Sequence, residues 1–165
     1  MKSIVLVVED QPDIRKLIRM TLDFGDFEVH EAENGVSGLR MLGAVRPNIV
    51  LLDVMMPGEL DGFQVCRKIK EASETGGTMV VMLTARGQQA DLNAGRDAGA
   101  DAYLTKPFSP LELIDKVESL PEQQVDFGRG EEVRHAARRF GALQQLGRVL
   151  LHAATFLQPA EQAAQ

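Results

Sequence analysis

The sequence predicts an α/β fold, a five-stranded parallel sheet with helices on both faces. Short apolar runs alternate with amphipathic stretches five times along residues 1–120, the (βα)5 pattern from which doubly wound sheets are built. Four of the five runs are almost continuously apolar, as strands buried on both faces must be. Several of them also end on carboxylate or hydroxyl side chains. In open α/β sheets ligands bind outside the carboxyl ends of the strands, so chemistry is expected there.

Taken in order, the strands are expected at Ile4–Val8, Phe27–Glu31, Ile49–Asp53, Met79–Thr84 and Ala102–Thr105. The second alternates as Phe27-Glu28-Val29-His30 and suits an edge. The first helix opens at Pro12, a residue favoured in a first helical turn, and Gly25 follows its end. Asn34 can cap the second helix. The third spans about Gly62–Ala72. The fourth, near Gln88–Ala98, stops at Gly99, a glycine suited to a left-handed helix end. The fifth begins at Ser109-Pro110-Leu111-Glu112, a capping box with proline in the first turn.

Composition sets outer limits. Hydrophobic residues make up 44% and charged residues 25%, ordinary for a soluble globular chain. No apolar run approaches the roughly 18 residues of a membrane span, so no membrane partner is expected. A lone cysteine, Cys66, cannot staple the fold and points to a reducing cytoplasm. Residues 1–120 carry 13 basic and 19 acidic side chains, and residues 121–165 carry five of each. Neither part is basic, so no direct nucleic-acid partner is expected.

The first strand ends at Glu9-Asp10, the third at Asp53 and the fourth at Thr84, and Lys106 follows the fifth. The sheet rule brings these groups to one crevice. Three carboxylates within a few ångströms repel unless protonated or neutralised by a cation. An all-oxygen site with few protein ligands suits Mg²⁺. An aspartate carboxylate can act as a nucleophile and form an acyl phosphate. Lys106 can pair with phosphoryl oxygens and Thr84 can donate a hydrogen bond to them. Each residue also has a plainer reading. Asp10 can cap the first helix, Asp53 and Thr84 can be ordinary strand residues, Lys106 a surface charge and Tyr103 a half-buried sheet aromatic.

Glu9-Asp10, Leu52-Asp53-Val54-Met55-Met56-Pro57, Leu83-Thr84-Ala85 and Tyr103-Leu104-Thr105-Lys106-Pro107-Phe108 together resemble the receiver domain of bacterial two-component response regulators. The likeness covers residues 1–120 and implies a flavodoxin-like sheet in the order 2-1-3-4-5. It implies that Asp53 accepts a phosphoryl group from a sensor histidine kinase or phosphotransfer protein. Asp10, Asp53 and the Met55 backbone carbonyl are implied to ligate Mg²⁺, with Glu9 acting largely through water. Lys106 is implied to pair with the phosphoryl group, and the peptide between Lys106 and Pro107 is a candidate for the cis form. Thr84 and Tyr103 form a switch pair in which Thr84 moves toward the phosphoryl group and the Tyr103 ring then turns inward. Such a protein is a signalling phosphoacceptor, catalysing only its own phosphoryl transfer and dephosphorylation. Met55 and Arg86 occupy positions that tune phosphoryl lifetime in the family. One departure is visible. The family's Asp-Gly pair stands here at Asp61-Gly62, one residue later than usual, so the loop after Pro57 holds an extra residue.

Residues 121–130 read as a linker. Residues 131–157 read as an amphipathic helix, with Val133, Ala136, Phe140, Leu143, Gly147, Leu150, Ala154 and Leu157 on one stripe, and 158–165 as a disordered tail. The stripe is expected to pair two copies of the chain, the alternative being a return onto the chain's own fifth helix. A stand-alone regulator that signals through protein contacts is the leading reading. A receiver cut from a longer regulator lacking its output domain is the alternative. A pseudo-receiver is disfavoured by the complete acidic site. An aspartyl-phosphate phosphatase is disfavoured because the first strand ends Glu9-Asp10-Gln11-Pro12 and not in an Asp-x-Asp motif.

Overall fold

The computed structural model describes residues 2–85 and 89–120. The expected linker, C-terminal helix and tail at 121–165 lie outside the described residues, as does Arg86.

Strand and helix alternate through β1 (Ser3–Val8), α1 (Pro12–Leu22), β2 (Phe27–Ala32), α2 (Gly35–Val45), β3 (Ile49–Asp53), α3 (Gly62–Glu71), β4 (Met79–Ala85), α4 (Gln89–Asp97), β5 (Ala102–Lys106) and α5 (Pro110–Ser119). The sheet is parallel throughout, in the order β2-β1-β3-β4-β5. Four strands run one residue longer than expected, because ladder pairing continues into flanking residues, with Ser3 opposite Phe27, Val8 opposite Ala32 and Ala85 opposite Lys106. Lys106 therefore closes β5 and does not follow it.

Strand alternation divides the core in two. Val5, Val7, Ile49, Leu51, Val81 and Leu83 face one way and pack against Ile18 and Leu22 of α1 and Leu113 and Val117 of α5. Leu6, Val8, Val50, Leu52, Val80 and Met82 face the other way, against Leu42 of α2 and Val65, Cys66 and Ile69 of α3. Cys66 is part of this packing. Burial pushes its thiol up to about 11, so it behaves as a small apolar side chain. β2 lies at an edge, as its alternation predicts, and His30 there is paired with Glu28 at 2.8 Å.

Three helices begin with reciprocal capping boxes, Asn34 with Ser37, Asp61 with Gln64 and Ser109 with Glu112. The first helix differs. Its cap position is Gln11, whose side chain makes no capping bond. Asp10 is one residue too early to cap α1, and that plainer reading of it fails. Gly99 ends α4 with φ +89°, the left-handed geometry that glycine adopts without a Cβ penalty.

Asp101 fastens the start of β5. Its Oδ2 accepts the Val80 N–H at 2.7 Å, its own N–H donates to the Val80 carbonyl at 2.9 Å, and Lys70 Nζ lies 2.6 Å from the same carboxylate. Removing that carboxylate strands the buried Val80 N–H. Asp101→Ala is expected to lower unfolding free energy by about 2 kcal/mol, measured by urea denaturation, with an unchanged m-value.

Candidate functional site

Register places the predicted groups at one end of the sheet. Val8 stands opposite Leu52, Asp53 opposite Leu83, Thr84 opposite Thr105 and Ala85 opposite Lys106. The residues that continue β1 are Glu9 and Asp10. Five groups from four strands thus meet at the carboxyl edge, as the sheet rule requires. Glu9 is 0% exposed, Thr84 2% and Asp53 3%, so these are interior polar groups.

Lys106 lies between two carboxylates. Its Nζ is 2.7 Å from Glu9 Oε2 and 3.0 Å from Asp53 Oδ1. The other Glu9 oxygen accepts the Gln11 N–H at 3.0 Å, and Asp53 Oδ1 also accepts the Met55 N–H at 3.3 Å. The peptide between Lys106 and Pro107 is cis. Asp10 is the unfinished member. Its Oδ1 is buried without a hydrogen-bond partner. One oxygen from each of Glu9, Asp10 and Asp53 lies within 4.8 Å of the other two.

A single ammonium cannot satisfy this much negative charge. Burial, and then the neighbouring Glu9, push the Asp53 carboxyl up to about 7, against the pull of Lys106. Burial acts to lower the Lys106 ammonium, but its pairing with Glu9 and Asp53 outweighs that and raises it. Excess carboxylate charge, oxygen-only donors and an orphaned buried oxygen fit a hard divalent cation. The acidic group could hold such an ion.

The loop after Asp53, which holds the extra residue, is fixed at both its turn and its end. Gly58 takes φ +118°, Asp61 caps α3, and Gly62 packs so closely on Asp53 that a Cβ there would run into the Asp53 carbonyl. The Gly62 N–H also donates to the Val54 carbonyl at 3.2 Å. The Met55 side chain is 67% exposed at the rim.

Thr84 and Tyr103 share a face of the sheet, because Thr84 stands opposite Thr105, two residues beyond Tyr103. The Tyr103 hydroxyl donates to the Leu92 carbonyl of α4 at 3.1 Å. Spacing did not reveal Arg15. From the first turn of α1 its Nη1 donates to the Glu9 carbonyl at 2.7 Å, while its Nε faces Glu31 at 3.7 Å. Only the fold brings that guanidinium back to the end of β1.

This fold and this arrangement define a class, the response regulator receiver domain, whose family model matches residues 5–118. The chain belongs to that family. It is 42% identical over 116 residues to the transcriptional regulatory protein ResD of Bacillus subtilis, covering 70% of this chain and 47% of ResD. It is 34% identical over 141 residues to the DNA-binding dual master transcriptional regulator RpaA of a Synechocystis strain, covering 86% of this chain and 56% of RpaA. Among solved structures, the chemotaxis response regulator CheY4 of Vibrio cholerae matches with TM-score 0.69 and 28% identity, covering 73% of this chain and 99% of that one. The receiver domain of NtrX from Brucella abortus matches with TM-score 0.67 and 30% identity, covering 72% and 98%. The chain spans about half the length of the curated relatives it matches. The expectation of no nucleic-acid partner finds no support in them, since RpaA is by name DNA-binding. Among the described residues, no helix is long and apolar enough to cross a membrane.

The raised Asp53 carboxyl has a pH signature. In the unfolded chain it ionises near 3.8, and in the folded chain near 7. Folding therefore takes up a proton between those limits, and stability falls as pH rises from about 4 to about 7. Asp53→Asn removes that fall. In EDTA the variant is expected to melt roughly 5 °C above wild type at pH 8, with the gap closing toward pH 4, measured by differential scanning calorimetry.

Proposed function

We propose that Asp53 is the phosphoacceptor of this response regulator. The carrying observation is a buried strand-end aspartate with one oxygen on Lys106, inside a cluster of carboxylates that could hold a cation. A carboxylate oxygen of Asp53 attacks phosphorus, the P–N bond of a phosphohistidine on a sensor kinase or phosphotransfer protein breaks, and the electron pair leaves with the imidazole. The catalysis extends only to the chain's own phosphoryl transfer and dephosphorylation.

Asp10 and Asp53 would hold Mg²⁺ directly, with the Met55 backbone carbonyl as a further oxygen and Glu9 acting largely through water. Bound Mg²⁺ supplies positive charge against the phosphoryl oxygens. Lys106 already bridges Glu9 and Asp53, so its ammonium needs only a short movement to pair with a phosphoryl group. Thr84, buried one residue beyond the partner of Asp53 in the ladder, would donate its hydroxyl to that group, and Tyr103 would follow it as the second half of the switch. Residues 1–120 form the receiver in this reading, 121–130 a linker, and 131–157 an amphipathic segment that pairs two copies, in a cytoplasmic setting.

A second reading is favoured by one finding, the coverage of only about half of each curated relative. There the chain is the receiver portion of a longer regulator, and output belongs to the remainder.

Incubation with acetyl phosphate and Mg²⁺, read by intact mass, tests the acceptor. Wild type is expected to gain one phosphoryl group. Asp53→Asn, or wild type in EDTA, is expected to gain none, and Lys106→Met to gain it at least tenfold more slowly, the loss of about 1.4 kcal/mol of transition-state stabilisation. An undiminished gain in Asp53→Asn refutes the assignment. Sedimentation velocity of the same samples tests pairing, with phosphorylation expected to raise the dimer fraction.

A further inference from the structure

Glycine is a poor choice inside a helix, and α4 carries Gly95 in its second turn, buried. The reason lies on the neighbouring strand. A Cβ built on Gly95 would sit 2.7 Å from Tyr103 Cε1 and 3.2 Å from the Tyr103 hydroxyl oxygen. Real Cβ contacts are not that short, so the ring occupies the space a side chain at 95 would need. The phenol is fixed from the same helix, because its hydroxyl donates to the Leu92 carbonyl three residues earlier. Ring edge and hydroxyl are thus held by one turn of α4, with Gly95 as the floor and Leu92 as the latch. Tyr103 also lines an open groove of about 370 Å³ between β5 and α5, together with Thr105, Glu112 and Lys116 among others. A ring displaced from α4 has somewhere to go.

We propose that Gly95 is the positioning residue of Tyr103, and that its missing side chain sets the balance between a ring seated on α4 and a ring displaced toward the β5–α5 groove. The proposal rests on the reading of Tyr103 as the mobile half of the switch and adds the residue that controls it. Any side chain at 95, even a methyl group, evicts the ring and breaks the bond to Leu92. The ring is then held off α4 whatever happens at Asp53.

The chain contains one tyrosine and no tryptophan, so its tyrosine emission reports on Tyr103 alone. The test is acrylamide quenching of that emission in wild type, Gly95→Ala and Gly43→Ala, each with and without acetyl phosphate and Mg²⁺. Gly43 is the control, because it also lies in a helix and a Cβ there meets nothing within 4 Å. The expected result is greater quenching in Gly95→Ala than in wild type, loss of any response to acetyl phosphate in that variant alone, and wild-type behaviour in Gly43→Ala. Equal quenching in wild type and Gly95→Ala overturns the proposal. If wild type takes up the phosphoryl group with no change in quenching, the switch reading of Tyr103 fails, and the unphosphorylated comparison still decides whether Gly95 seats the ring. Should Gly95→Ala fold poorly, the same substitution in a Tyr103→Ala background separates the causes. Restored thermal stability there identifies the ring as the obstruction, and no restoration overturns the proposal.

Discussion

Glu9 and Asp53 are almost sealed from water, and one ammonium group stands between them. Lys106 reaches both within 3.0 Å, and the rest of the carboxyl edge is arranged around that contact. Without the lysine, two buried carboxylates would face each other uncompensated, and one would be driven further toward its protonated form. With it, the charge is still incomplete, because Asp10 adds a third carboxylate with a buried oxygen unbonded. The site is stable enough to fold and unsatisfied enough to bind a cation. The raised Asp53 carboxyl expresses the same imbalance.

That contact depends on a core of little chemical variety. Val5 to Val8, Ile49 to Leu52 and Met79 to Leu83 are buried on both faces. In a parallel sheet a slip of one residue would turn each strand over and separate the acids from the lysine. The two core layers hold the register, and the register places the polar ends. Gly62 contributes at closer range, since only a residue without a Cβ lets α3 begin against the Asp53 carbonyl.

Much of this was legible in the chain. Strand positions followed from apolar runs, edge placement of β2 from Glu28 and His30, and two helix starts from Asn34 and Ser109, because each is a local signal. The acidic residues and Lys106 were legible because the sheet rule collects strand ends whatever their separation. What escaped the sequence depends on distance across the fold. That Asp10 does not also cap the first helix needed the structure, where the cap position is Gln11. Arg15 gave no hint that it turns back to the Glu9 carbonyl. Gly95 carries no local signal of its role, and only the Tyr103 ring above it explains the choice. The extra residue near Gly58 was countable, but the positive φ that turns the chain at Gly58 is not predicted by spacing.

The lysine bridge also makes the site a report on the whole domain's assembly. Its two contacts span 97 and 53 positions of chain, and they close only when the last strand has docked beside β4. A nascent or partly unfolded chain in which β5 is absent has the acids but no cation between them, and so no ordered acceptor. Long-range closure of this kind is slow to form and is lost on subglobal opening at the β5 edge. Competence to accept a signal is thereby tied to completion of the fold.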